Sequence, residues 1–249
     1  MNSPPHDQPI GQQVPAWLAA TLFGVVAPAL ALLMLADRAE PASLVLVAAP
    51  ILAVALMGAG MIAAAAAGRF GVGILLALLA GVVLIAATQV LGMQAVSHPI
   101  SAGLAMIIAS VSFAARGALF ARSGADKGWL IAVFVVAGEA AILFTAAAMP
   151  GALPGWLLAL LPAQWASIAI QSALSGSGSV AAGAVLIALS GTAAATLLVA
   201  KLWPLRWPYL VMFTTWLALS ALVYHQTGEQ LSANDDGKVA ETEVASRKT

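Results

Sequence analysis

The chain contains no cysteine. That single absence removes disulfides, thiolate metal sites, iron–sulfur clusters, covalent haem attachment and cysteine catalysis. Charge is nearly as scarce: 8% of the 249 residues are Asp, Glu, Lys or Arg, against about 25% in a soluble domain. Ten basic and ten acidic residues cancel, so no basic stripe is left to follow a phosphate backbone, and nucleic acid is not expected as a partner. Catalytic signatures are missing too. There is no HExxH, no GxSxG and no phosphate-cradling glycine loop, so no catalytic residue is assigned and an enzyme is not the expectation. The last apolar stretch has no lysine for a retinal Schiff base. His98, just before one stretch, and His225, just after another, map to the same outer boundary, but no third ligand accompanies them, so neither a metal nor another cofactor is expected.

What remains is apolar. Hydrophobic residues make up 62% of the chain and its mean hydropathy is +0.99. A surface built from such a composition cannot be covered with polar groups in water, so the chain reads as an all-α, polytopic transmembrane helix bundle whose first partner is the lipid bilayer. A spanning helix needs about 20 mainly apolar residues. Seven stretches qualify, at 16–36, 43–67, 71–93, 101–120, 129–149, 180–200 and 207–224. Polar or Gly/Pro breaks separate them: Asp37 to Pro41, Gly68 to Phe70, Ser97 to Pro99, Arg122 to Gly128, and Lys201 to Arg206. Residues 1–14 lack periodicity and form a flexible N-terminal segment, 15–226 the transmembrane domain, and the polar residues 227–249 a disordered tail. The first apolar run is too long for a signal peptide and lacks a basic leader, so it reads as an uncleaved helix.

Between spans five and six the pattern changes. Pro162 divides the apolar run 156–174 into two short helices, and in the second Trp165, Ile168 and Leu174 share a side opposite Gln164, Ser167 and Gln171. This is the spacing of a short interfacial helical segment, lying on the membrane surface or tucked partway in. Seven spans with a cytoplasmic N-terminus put Arg69, Arg122, Lys127, Lys201 and Arg206 inside and the C-terminus outside, as the distribution of basic loop residues favours. The composition suits a bacterial inner (plasma) membrane. Alanine forms roughly a quarter of the chain, well above average usage, and is dense at Gly58 to Gly60 and Ala63 to Gly68. Such small-residue faces belong against other helices, within the bundle, in self-association or against other membrane subunits.

Two ionisable residues lie within the apolar stretches. Glu139 is near the middle of the fifth span, and Arg116 is about one turn inside the end of the fourth. A charged side chain at the bilayer centre costs about 2.5–3.5 kcal/mol on insertion scales, so such a residue is a functional candidate by default. Ser112, one turn further along the fourth span, completes a stripe Ser112, Arg116, Glu139 between two helices joined by a short loop. Glu139 has three readings: the ionised partner of Arg116, an acid kept protonated by apolar surroundings, or a proton carrier. Arg116 on its own could equally snorkel to the headgroups beside Arg122 and Lys127. Thr88, Gln89 and Thr192 are secondary polar candidates, which either line a path or bond their own helix backbones.

The functional expectation is a small transporter or channel with a proton- or ion-responsive Arg/Glu site, suited to a proton, a small ion or an amphipathic solute rather than a large hydrated one. Its alternative is a non-catalytic membrane subunit, assembly factor or scaffold in which the same pair serves helix packing.

Overall fold

The computed structural model of the chain describes residues 10–36, 41–91, 98–175, 180–203 and 207–246. Residues 1–9, the break at 37–40, Ser97, Arg206 and the side chains of the tail 227–249 lie outside the described residues. Every regular element among those described is helical. The helices are α1 (Ile10–Thr21), α2 (Ala27–Ala36), α3 (Pro41–Met57), α4 (Ala63–Ala67), α5 (Phe70–Val90), α6 (Pro99–Ser123), α7 (Gly128–Ala148), α8 (Gly155–Ala159), α9 (Pro162–Ser175), α10 (Val180–Lys201) and α11 (Trp207–Ser246). Single π turns, Leu22–Val26 and Gly58–Ile62, join α1 to α2 and α3 to α4, so each of these pairs runs as one rod.

Seven helical stretches are long and apolar enough to cross a membrane: Val14–Leu35, Val47–Ala67, Phe70–Val90, Pro99–Ser123, Gly128–Ala148, Ala182–Lys201 and Trp207–Gln226. They match the seven expected from the sequence. The physical reason is general: hydrocarbon offers no hydrogen-bond partner, so a crossing segment must satisfy its backbone within itself, as a helix does.

The spans are not equivalent. The second is the axis of the bundle, with 89% of its apolar window buried against 17% for the seventh. Its alanines from Ala48 to Ala65, with Met57, Met61 and Ile62, are almost fully enclosed. Around it pack α1, α5, α6, α7 and α9, while α10 lies on α6 and α9, and α11 lies outside α10. Two glycines show how tightly this centre is built. Gly68 ends α4 in the left-handed region (φ 62°), which turns the chain directly into α5. Gly73 of α5 faces the second span so closely that an added Cβ would stand 2.5 Å from the Gly60 carbonyl oxygen and 2.6 Å from the Ala64 Cβ. Small residues are what allow such backbone approach where lipid and protein are equally apolar.

That contact generates a paired prediction. Gly73→Ala must push two helices apart and lowers unfolding stability in mixed micelles by about 1–3 kcal/mol. Gly103→Ala, on α6 with open space at its Cβ position, is neutral or gains up to about 1 kcal/mol from helix propensity.

Candidate functional site

The site starts from a helix that begins in an unusual place. After α7 the chain turns through Gly151, which is left-handed at φ 82°, and Pro154 leads into the single-turn helix α8. Pro162 then breaks the run, because proline has no N–H and its ring excludes a continuing helix on its N-terminal side. The break is closed by short-range bonds, Leu160 N–H to Leu157 O (3.2 Å) and Leu161 N–H to Leu158 O (3.1 Å). The Trp165 indole Nε1–H donates to the Ala159 carbonyl at 2.8 Å and is completely buried. One tryptophan therefore ties the end of α8 to the start of α9.

Of the two placements that the amphipathic spacing admits, the chain adopts the tucked one. Ala163, Trp165 and Ala166 are fully enclosed, and α9 packs mainly against α3, α10 and α6. Its 14 residues extend roughly 21 Å at about 1.5 Å per residue. The segment is a short helix whose first turn sits inside the bundle.

A helix start leaves N–H groups without partners. Here the Ala163 N–H donates to Glu139 Oε2 at 3.0 Å. Glu139 lies roughly 16 Å along α7 from Gly128, so the first turn of α9 meets the fifth span near its middle. The carboxylate also faces the positive end of the α9 dipole, a favourable position for an anion.

Arg116 is placed differently. Its Nη2 contacts Thr192 Oγ1 at 3.5 Å, the outer limit of a hydrogen bond. Its Nη1 is buried and has no partner, and the guanidinium carbon stands 5.8 Å from the centre of the Phe113 ring. Among the described residues no ion pair joins Arg116 to Glu139, although the two charges act on each other through space. Thr192 donates in turn to the carbonyls of Ala188 (2.9 Å) and Leu189 (3.1 Å) on its own helix. Glu139 is thus anchored by a backbone donor, whereas the hydrogen-bond partner of Arg116 among the described residues is a neutral hydroxyl.

Both residues line one cavity of about 420 Å³. Its walls are Leu119 and Phe120 of α6, Thr192 and Thr196 of α10, Leu157, Leu160, Leu161 and Pro162 at the α8–α9 junction, and Met212, Phe213 and Trp216 of α11. The lining is therefore apolar except for one cation, one carboxylate and two hydroxyls. Such a space suits a ligand that is mostly hydrocarbon with a small charged group.

The structure brings Glu139, Arg116 and Thr192 together. Ser112 does not reach this wall: it is buried in α6 with no partner for its hydroxyl. Thr88 donates to the Ile85 carbonyl at 2.7 Å on α5, and neighbouring Gln89 is exposed on the same helix; neither lines the cavity. Reasoning from the sequence missed the Ala163 N–H and the α8–α9 junction as site components. A signal existed in Trp216, which lies near the middle of the seventh span rather than at its ends and proves to be a cavity wall. Among the described residues no three or more His, Asp or Glu side chains cluster as a metal site would require. Compared with known protein families, curated proteins and solved structures, the chain matches none.

The Glu139–Ala163 bond predicts an order of stabilities. Glu139→Ala leaves the α9 N–H unpaired and costs about 1.5–3 kcal/mol, the range for hydrogen bonds to a charged group, whereas Glu139→Gln retains an acceptor and costs about 1 kcal/mol. Unfolding of both variants in mixed micelles checks the ranking.

Proposed function

We propose that this integral membrane protein is a small transporter in which the α6–α10–α11 cavity receives the solute and Glu139 is the proton-responsive group. The observation that carries this reading is the buried start of α9 directed at a mid-span carboxylate, beside an under-partnered arginine in the same cavity. Discontinuous helices whose ends point into a midplane site are a recurrent way of holding ions and charged solutes in transporters. Protonation of Glu139 removes the charge that the Ala163 N–H and the α9 dipole both face. A partly buried charge–dipole contact is worth up to about 2 kcal/mol; loss of that full amount alters a two-state equilibrium about thirtyfold. In this mechanism the proton loosens the α8–α9 hairpin and deprotonation reseats it, which couples proton binding to opening of the cavity. The loop charges Arg69, Arg122 and Lys127 support a cytoplasmic face at that end of the spans, in a bacterial inner membrane with the N-terminus inside.

A second reading is favoured by the same bond. A carboxylate that caps a helix is also a packing device, so the chain would then be a non-catalytic subunit or assembly protein, and a stoichiometric partner would co-purify with it.

The absence of cysteine makes the test clean. With single substitutions in otherwise unaltered protein, Thr192→Cys reacts with a small membrane-impermeant thiol reagent while Ser112→Cys stays silent, because a thiolate must meet water to react. Adding Glu139→Gln to Thr192→Cys abolishes the pH dependence that remains after correction for an exposed reference thiol. Silence of Thr192→Cys from both membrane faces indicates a dry pair and transfers the assignment to the second reading.

A further inference from the structure

The cavity does not end at Arg116. Leu160 is shared with a second, apolar space of about 220 Å³, which follows the seam between α8 and α11 past Trp156, Leu217 and Ala221 to Tyr224. Trp156 and Leu217 along this seam, and Phe213 of the cavity, are exposed at the protein surface, where the surrounding medium of a spanning helix is lipid. From Met212 in the cavity to Tyr224 in the seam, the two spaces together run roughly 18 Å along α11, similar to half of the ~30 Å hydrocarbon core, the depth of one acyl chain.

Charge selects the head group. Glu139 already accepts from Ala163 and faces a helix end equivalent to roughly +0.5 charge. Arg116 has a buried nitrogen without an acceptor and a single long contact to a hydroxyl. With Arg116 at +1, Glu139 at −1 and the helix end at roughly +0.5, the uncompensated charge in the cavity is positive, about half a unit, and belongs to Arg116. Among anionic heads a monoanion overshoots it least, and the guanidinium fork matches the two oxygens of a carboxylate. A doubly charged phosphate monoester would overshoot it further and be repelled more strongly by Glu139, and a cationic head would meet Arg116.

We propose that the cavity and the α8–α11 seam together bind a long-chain carboxylate amphiphile, its head on Arg116 and its acyl chain lying past Leu160 toward Tyr224. This rests on the transport reading for its biological meaning, since it names the solute class of that site, but binding itself is measurable without transport. It also assigns Leu160, at the α8–α9 break, as the point where the chain passes from cavity to seam.

The test uses the purified full chain in detergent and a dibrominated long-chain carboxylate, whose bromines quench tryptophan on contact. Saturable quenching is expected, and replacing Trp156 and Trp216 together by Phe removes most of it. Chain-matched brominated alcohol and trimethylammonium compounds bind at least tenfold more weakly. Arg116→Gln weakens the carboxylate roughly 10- to 150-fold, the equivalent of a charge-assisted hydrogen bond of about 1.5–3 kcal/mol, and leaves the alcohol unchanged. Equal or tighter binding of the neutral, cationic or phosphate-headed chain overturns the proposal, as does an unaltered affinity in Arg116→Gln. If that variant fails to fold, the head-group series on the unaltered protein decides alone. Labelling of Thr192→Cys without carboxylate binding leaves the transport reading standing and removes this ligand; carboxylate binding with Thr192→Cys silent keeps the ligand and removes transport.

Discussion

A helix that begins within hydrocarbon has N–H groups that neither water nor a preceding turn can satisfy. The rest of the site depends on how the chain meets that constraint at Ala163. Glu139 supplies the acceptor from the middle of α7, and in doing so it fixes the depth of α9, the position of the α8–α9 junction and one wall of the cavity. The costs of two buried groups are met together. A carboxylate inside a membrane is expensive and so is a bare helix start, but each supplies what the other lacks.

The same arrangement explains why Arg116 is left over. In a dry interior a carboxylate and a guanidinium normally close on each other, since attraction strengthens as the dielectric falls. Here the helix start competes for the carboxylate, and Arg116 settles against Thr192 with Nη1 unpartnered. An unsatisfied buried donor is a liability for stability. It stands beside the cavity, so the packing of one helix decides which charged group is left facing that space.

The bundle divides between a tight half and a looser one. Around the second span the helices approach backbone to backbone through alanine and glycine, and Trp165 and Phe113 are fully enclosed beside it. On the other side α11 is largely exposed and rests on α10 and α8. The cavity lies on this looser side, where fewer buried contacts hold the helices together. The tight half supports the helices that carry Glu139 and Arg116, while α8 and α11 form the less enclosed wall.

Much of this was legible in the sequence, unevenly. Seven spans follow from hydropathy because the bilayer imposes a length and an apolar composition on each crossing, whatever its neighbours do. Glu139 and Arg116 were legible for the same reason, as charges where charge is costly. The amphipathic run after Pro162 fitted an interfacial or a tucked helix equally well, since an internal wall with one polar contact and a membrane surface impose similar spacing. Ser112 shares a helix face with Arg116 by periodicity, yet only Arg116 reaches the cavity, because the rotation of α6 is set by its contacts with α5, α9 and α10. Thr192 joined the site across 76 positions of chain, which local pattern does not encode. The sequence by itself determined how many helices cross and which buried charges must find partners, since both are local solvation constraints. Which partners they found was decided only by the tertiary structure, because α9, α10 and Pro162 had to pack before the Ala163 N–H and the Thr192 hydroxyl stood beside those charges.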